Sequence, residues 1–126
     1  MLNNKNIFIS GGTGSFGKKF IEKILKKYSP KKIVIYSRDE FKQYKMQEIF
    51  PPHKYKCLRY FLGDVRDLER LKMAMRGADY VVHAAALKQV PAAEYNPMEY
   101  VKTNIYGAEN IIQASISQKV KKILAL

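Results

Sequence analysis

An apolar triplet, Ile7–Phe8–Ile9, runs straight into glycines at 11, 14 and 17, in the stretch IFISGGTGSFG over residues 7–17. An amphipathic helical pattern follows at once. Strand, glycine turn and helix in that order form the local machinery that holds a dinucleotide pyrophosphate. Gly11 permits the tight turn after the strand. Gly14 lets the backbone approach the pyrophosphate, and Gly17 lets the helix lie close to the sheet. Thr13, Gly14, Ser15 and Phe16 offer main-chain N–H groups at the helix N-terminus, where an anion is favoured. Lys18 and Lys19 occupy the first turn, against the helix dipole, and a nearby phosphate would offset that.

The rest of the chain alternates in the same way. The first strand is expected at about 5–10 and the first helix from Ser15 to Tyr28. In that helix Phe20, Ile21, Ile24, Leu25 and Tyr28 recur at helical spacing, and Ser29–Pro30 ends it. KIVIYS, Lys32–Ser37, reads as the second strand. The second helix covers about 40–50, capped by Asp39 or Ser37 and closed by Pro51–Pro52. The third strand is expected at about 55–62. The third helix follows Asp67 as N-cap, with Leu68, Leu71 and Met75 inward and Gly77 as its stop. The fourth strand is expected at about 79–84. After a loop, Asn96 and Pro97 open the fourth helix. Its buried stripe is expected at Val101, Ile105, Ala108 and Ile112, and Asn104 is read as facing the sheet. Val120–Leu126 reads as the fifth strand. Alternation of this kind predicts an α/β fold: a Rossmann-type doubly wound parallel sheet of order 3-2-1-4-5.

Composition narrows the function. At 126 residues the chain makes one domain with a real core. Net charge is +12, from 23 Lys+Arg against 11 Asp+Glu. The cations are scattered in pairs such as Lys18–Lys19 and Lys121–Lys122, with no basic run, so the reading is a cationic surface rather than a nucleic-acid face. No run approaches the ~18 apolar residues of a membrane span. The single cysteine, Cys57, makes no internal disulfide and suits a reducing cytoplasm. His53 and Cys57 offer no metal-ligand spacing, and His83 reads as a core or surface histidine rather than a base.

The end of the second strand bears on the choice of dinucleotide. An NAD site calls for an acid there to take the ribose 2′-OH. Here the residues are Ser37–Arg38. An arginine grips a 2′-phosphate with a forked, charge-assisted contact, and Lys42 lies one turn on. NADP is the reading. Two alternatives stay open: Asp39 takes the hydroxyl, or Asp39 merely caps the helix while Arg38 is exposed. Asp64–Val65, after the third strand, can take the adenine amino group with the valine behind the ring, or Asp64 or Asp67 can simply cap the third helix. Ala84–Ala86 let a ribose lie on the end of the fourth strand, and Lys88 sits in the loop beyond.

A tyrosine and a lysine one helical turn apart form the acid/base pair of many NADP enzymes that open this way. The one match is Tyr28 and Lys32. Pro30 lies between them, so they cannot share a helical face. No nucleophile–base pair stands out either, and no catalytic residue is assigned.

Taken together, ISGGTGSFGK, IYSRDE, GDVRDLERL, HAAALKQVPAAEYNP and KTNIYGA resemble the inverting UDP-N-acetylglucosamine 4,6-dehydratases. These are extended short-chain dehydrogenase/reductase proteins of bacterial surface-sugar biosynthesis. The resemblance implies NADP(H) kept bound through a cycle. A hydride leaves the sugar C4, water is lost across C5–C6, the hydride returns to C6 and C5 is inverted, on the way towards pseudaminic acid. Carried onto this sequence, the cofactor contacts fall on Thr13, Gly14, Ser15, Phe16, Ser37, Arg38, Asp39, Glu40, Phe41, Lys42, Asp64, Val65, Ala84 and Lys88. Lys88 also reaches substrate. Membrane-bound homologues carry helices ahead of this domain; here the first strand starts at once, so a soluble, cytoplasmic type is expected.

In that group an Asp–Lys pair follows the fifth strand, and the catalytic Tyr and Lys lie on the next helix. This chain stops at Leu126, short of both. The expectation is an incomplete dinucleotide domain over 1–126, inactive alone, from a truncated gene, a split gene or an incomplete sequence. An open fifth-strand edge predicts a homo-oligomer or looser self-association. The alternatives are a non-catalytic nucleotide-binding or regulatory module, half of a split enzyme, or, with least support, a nonspecific nucleic-acid binder.

Overall fold

The computed structural model describes the backbone over residues 1–84 and 97–125, and the side chains over residues 1–84 and 105–124. Among the described residues nine elements alternate: β1 (Asn6–Ser10), α1 (Ser15–Lys27), β2 (Lys32–Ser37), α2 (Glu40–Ile49), β3 (Leu58–Leu62), α3 (Leu68–Ala74), β4 (Tyr80–His83), α4 (Pro97–Ser117) and β5 (Lys122–Ala125). The five strands make one sheet in the order β3-β2-β1-β4-β5. All four pairings are parallel. The doubly wound order read from the sequence is therefore the observed one.

Side-chain alternation along the strands splits the core in two. Ile7, Ile9, Ile33 and Ile35 pack with Ile21 and Ile24 of α1 and Met46 of α2. Phe8, Val34, Tyr36 and Val81 face the other way, onto Leu71 and Ala74 of α3 and Ile111 and Ala114 of α4. Burial on both faces is why the strands read as nearly continuous apolar runs.

Several boundaries differ from the sequence reading. The third strand begins at Leu58, not near 55, because a turn at Pro51 takes up the preceding residues: the N–H groups of Lys54 and Tyr55 both donate to the Pro51 carbonyl. The fifth strand begins at Lys122, because the Val120 N–H still closes α4 on the Ser115 carbonyl. The first helix ends one residue earlier, with Tyr28 as its C-cap. The stripe expected on the fourth helix is displaced. Ile105 and Ile112 are half exposed, whereas Gly107, Ile111, Ala114 and Ser115 face inward. The close approach sets this: a Cβ on Gly107 would stand 2.8 Å from Val65 Cγ2. Val101 and Asn104 lie outside the residues whose side chains are described.

Candidate functional site

The C-terminal ends of β1, β2, β3 and β4 lie side by side, and the sequence-predicted residues cluster there. In a doubly wound sheet this is where ligands bind. After Ser10, Gly11 takes φ +72°, which a side chain rarely tolerates. Its N–H donates to the Tyr36 carbonyl, and the Gly14 N–H closes the turn on the Gly11 carbonyl at 3.2 Å. A Cβ on Gly17 would stand 2.3 Å from the Gly12 oxygen, so the first turn of α1 sits directly on the glycine loop. A Cβ on Gly14 would meet only the Gly11 oxygen, at 3.6 Å. Gly14, Ser15 and Phe16 are exposed, whereas Thr13 is turned inward and 6% exposed.

The three described helix starts of this face differ in one respect. Asp39 caps α2 by accepting from the Lys42 N–H, and Asp67 caps α3 by accepting from the Arg70 N–H. α1 begins at Gly14 with no side-chain cap and no acid in its first turn. Its leading N–H groups are left for an anion. Helix, glycine turn and open Gly14 flank thus fit a pyrophosphate.

At the end of β2, the Asp39 carboxylate is occupied as a cap, at 3.0 Å from the Lys42 nitrogen. Arg38 is half exposed and lies 3.9 Å from Asp64. Glu40, Phe41 and Lys42 are exposed on the first turn of α2, and Lys45 lies over the Phe41 ring. Asp64 does not cap α3, whose N-cap is Asp67. It accepts from the Arg66 N–H and pairs with the Arg66 guanidinium at 3.0 Å. Partial burial pushes the Asp64 carboxyl up. The hydrogen bonds from Arg66 and the charges of Arg66 and Arg38 outweigh that and hold it below the usual carboxylate range. Val65 is buried against Gly107, and its carbonyl accepts from the Asn110 side chain. Ala84 donates its N–H to Ser10. Ala85, Ala86 and Lys88 lie outside the described residues. Tyr28 ends α1 and Lys32 opens β2, so those two make no acid/base pair.

Sequence reasoning missed three supports. Gly12 is packed so closely that a Cβ would be 3.0 Å from Ile35; the Gly–Gly doublet was the available signal. Gln43 is buried, and its amide donates to the Ser37 carbonyl and hydroxyl and to the Phe61 carbonyl, pinning the end of β2 that carries Arg38. A lone glutamine on a polar helix gives no sequence signal for this. Tyr36, fully buried, holds the Asp64 main chain from below. Among the described residues, no group of three or more His, Cys, Asp or Glu stands together as a metal site.

Sheet order, glycine turn and uncapped α1 define a Rossmann-type doubly wound domain. The chain belongs to the polysaccharide biosynthesis protein family, whose model matches residues 7–126. It is 60% identical, over its whole length, to an inverting UDP-N-acetylglucosamine 4,6-dehydratase of Campylobacter jejuni. It is 47% identical to a UDP-glucose 4-epimerase of Rickettsia massiliae. The chain spans 37% of the length of each. Among solved structures, Pen from Bacillus thuringiensis superposes with a TM-score of 0.91 at 44% identity, over 99% of this chain and 37% of that one. DesIV, a dTDP-glucose 4,6-dehydratase from Streptomyces venezuelae solved with NAD and TYD, gives 0.79 at 21% identity, over 94% and 38%; at that distance the likeness is one of fold. No helix among the described residues is long and apolar enough to cross a membrane.

Proposed function

We propose that this chain is the cofactor-holding part of an NADP-dependent sugar-nucleotide 4,6-dehydratase, a lyase acting on UDP-N-acetylglucosamine in surface-polysaccharide biosynthesis in the cytoplasm. The 60% identity to the inverting dehydratase over the whole chain carries the reading. The site geometry supports its cofactor end. The pyrophosphate belongs at Gly14, Ser15 and Phe16, on the uncapped start of α1. Arg38, with Lys42 beside it, suits the 2′-phosphate, and Asp39 already accepts from the Lys42 N–H through one oxygen as the cap of α2. Asp64 suits the adenine amino group. Ala84 and Lys88 belong to the ribose and sugar side. When bound, the nicotinamide supplies hydride acceptance and return. Under this reading the catalytic Tyr–Lys helix and the substrate region lie in polypeptide beyond the 126 residues, and the chain alone is inactive.

The 47% identity to a 4-epimerase favours a second reading, in which the same cofactor half serves an epimerase. Both named activities act at the sugar C4, so the cofactor half does not separate them.

Calorimetric titration with NADPH and NADH, alongside Arg38→Ala, tests the proposal. NADPH binds more tightly, and the variant loses that preference. Equal binding of both dinucleotides, unaltered in the variant, overturns the NADP assignment. Formation of a 4-keto product from UDP-N-acetylglucosamine by the chain alone overturns its being only a part.

A further inference from the structure

We infer that His83 is a positioning residue for the dinucleotide: its imidazole fixes the Ser10 hydroxyl, and through it the gap between the ends of β1 and β4. The inference rests on the reading of this end of the sheet as the cofactor's.

Ser10 is the last residue of β1, one before Gly11. His83 is the last residue of β4, one before Ala84. The two are register partners across the parallel pair, and both are buried, at 0% and 7% exposure. Ser10 Oγ lies 2.7 Å from His83 Nδ1. The Ala84 N–H donates to the same Oγ at 3.1 Å and to the Ser10 carbonyl at 3.0 Å.

A hydroxyl has one proton to give and two lone pairs. The Ala84 N–H takes a lone pair. Two acceptors compete for the proton: His83 Nδ1 at 2.7 Å and the Val82 carbonyl at 3.5 Å. The shorter contact prevails. We assign His83 the Nε2–H tautomer, which accepts at Nδ1; an Nδ1–H donating to the second Oγ lone pair would meet the same 2.7 Å contact, and nitrogen-15 spectra separate the two. Burial lowers its pKa, which keeps it neutral and able to accept.

A serine side chain by itself samples three rotamers. The imidazole holds the one whose oxygen meets the Ala84 N–H. That bond ties the exit of β4 to the residue that starts the glycine turn. Both sides of the cofactor's seat are then set by one hydroxyl, and the hydroxyl is set by the histidine. A core histidine that only filled space would leave the Ser10 proton to Val82.

The test uses the full 126-residue chain, with NADPH as probe. Parent, Ser10→Ala, His83→Leu, His83→Asn and the double Ser10→Ala/His83→Leu are titrated well below their thermal midpoints. Asparagine places its amide oxygen near the position of Nδ1. Ser10→Ala and His83→Leu each weaken NADPH about tenfold, within what one buried hydrogen bond supplies. His83→Asn stays within about threefold of the parent, and the double variant is no worse than either single one, because the residues act as a unit. Nitrogen-15 spectra of the imidazole show the neutral Nε2–H form. Where His83→Leu fails to fold, His83→Gln replaces it: its longer amide reaches the Nε2 position, leaves Ser10 without an acceptor and weakens NADPH as His83→Leu would. Parent-like binding by His83→Leu or His83→Gln, fully additive losses in the double variant, or an Nδ1–H imidazole each overturns the inference. A parent that binds no NADPH overturns the proposed function itself, and the positioning role with it.

Discussion

The Tyr36 hydroxyl donates to the main-chain oxygen of Asp64 across 2.7 Å, from a side chain with no exposed surface. A residue in the middle of the sheet thereby sets the loop that presents Asp64. The ring is held between Phe8 and Phe61, with centroids at 5.5 and 5.9 Å. Burial first, then the charges of Asp67 and Asp64, push the phenol above its usual range against the opposing charge of Arg70, so it remains a donor. Gly63 lies against it: a Cβ there would stand 2.4 Å from the hydroxyl and 2.5 Å from the ring carbon that bears it.

Tyr36→Phe keeps the ring and deletes the donor. It is expected to cost about 1–3 kcal/mol in urea unfolding, since a part-buried carbonyl loses its partner. Gly63→Ala is expected to cost about 1–3 kcal/mol through overpacking. The phenylalanine does not rescue the alanine, because ring carbons as well as the hydroxyl stand in the way. Rescue in the double variant would place the conflict at the hydroxyl alone.

The glycine loop separates folding from binding. Gly17→Ala puts a methyl into the Gly12 backbone, at 2.3 Å from oxygen and 2.4 Å from Cα. Neither partner is a flexible side-chain end, so α1 must lift from the loop. Its thermal midpoint falls sharply, by several degrees for each kcal/mol in a domain of this size. Gly14→Ala meets only the Gly11 oxygen, at ordinary van der Waals distance. It keeps the parent midpoint within a few degrees and loses NADPH affinity. If Gly14→Ala unfolds the chain, or Gly17→Ala leaves the midpoint in place, this division of roles is wrong.

Acid stability should fall in two separate windows. His83 has a folded pKa below its unfolded value of about 6.5. The unfolded chain takes the proton first, so stability is intact above about 6.5 and declines as pH falls from there. Asp64 also has a depressed folded pKa. Its contribution is complete above the unfolded value of about 3.9 and is lost as pH falls through the folded pKa. His83→Asn removes the upper decline and Asp64→Asn the lower one. Urea midpoints across the acid range measure both; a decline that survives its own variant belongs to another group.

Sheet order and glycine turn were legible because backbone requirements write themselves into residue type. Gly11 needs a positive φ and Gly17 needs room, and the strands are apolar on both faces. Long-range contacts were less legible. The inward face of α4 is made of Gly107, Ile111, Ala114 and Ser115, with Gly107 placed where the helix approaches Val65 too closely for a side chain; the isoleucines that suggest a core stripe, Ile105 and Ile112, are turned out. Gln43 was hidden because its partners, two main-chain oxygens and the Ser37 hydroxyl, are brought together from β2 and β3. Tyr55 reads as strand-forming, yet it sits beyond a proline turn with its ring edge-on to Phe50.

β5 has one neighbour in the sheet, β4, and its other edge has no strand beside it among the described residues. Ile123 and Leu124, successive residues on opposite faces of the strand, are 41% and 51% exposed. Ile112 and Ile116 of α4 are exposed as well, at 49% and 71%. An apolar edge with free N–H and C=O groups is a template for another chain. The net charge of +12 opposes contact between copies, and salt screens that repulsion while leaving the apolar drive in place. The isolated chain should therefore associate with rising concentration, more strongly at high salt than at low. Leu124→Lys places a charge on the edge and should return it to monomer. Size-exclusion chromatography with light scattering reads the outcome: a monodisperse monomer at high concentration and high salt would show that the edge of β5 is not sticky, and association unchanged in Leu124→Lys would move the contact to another face.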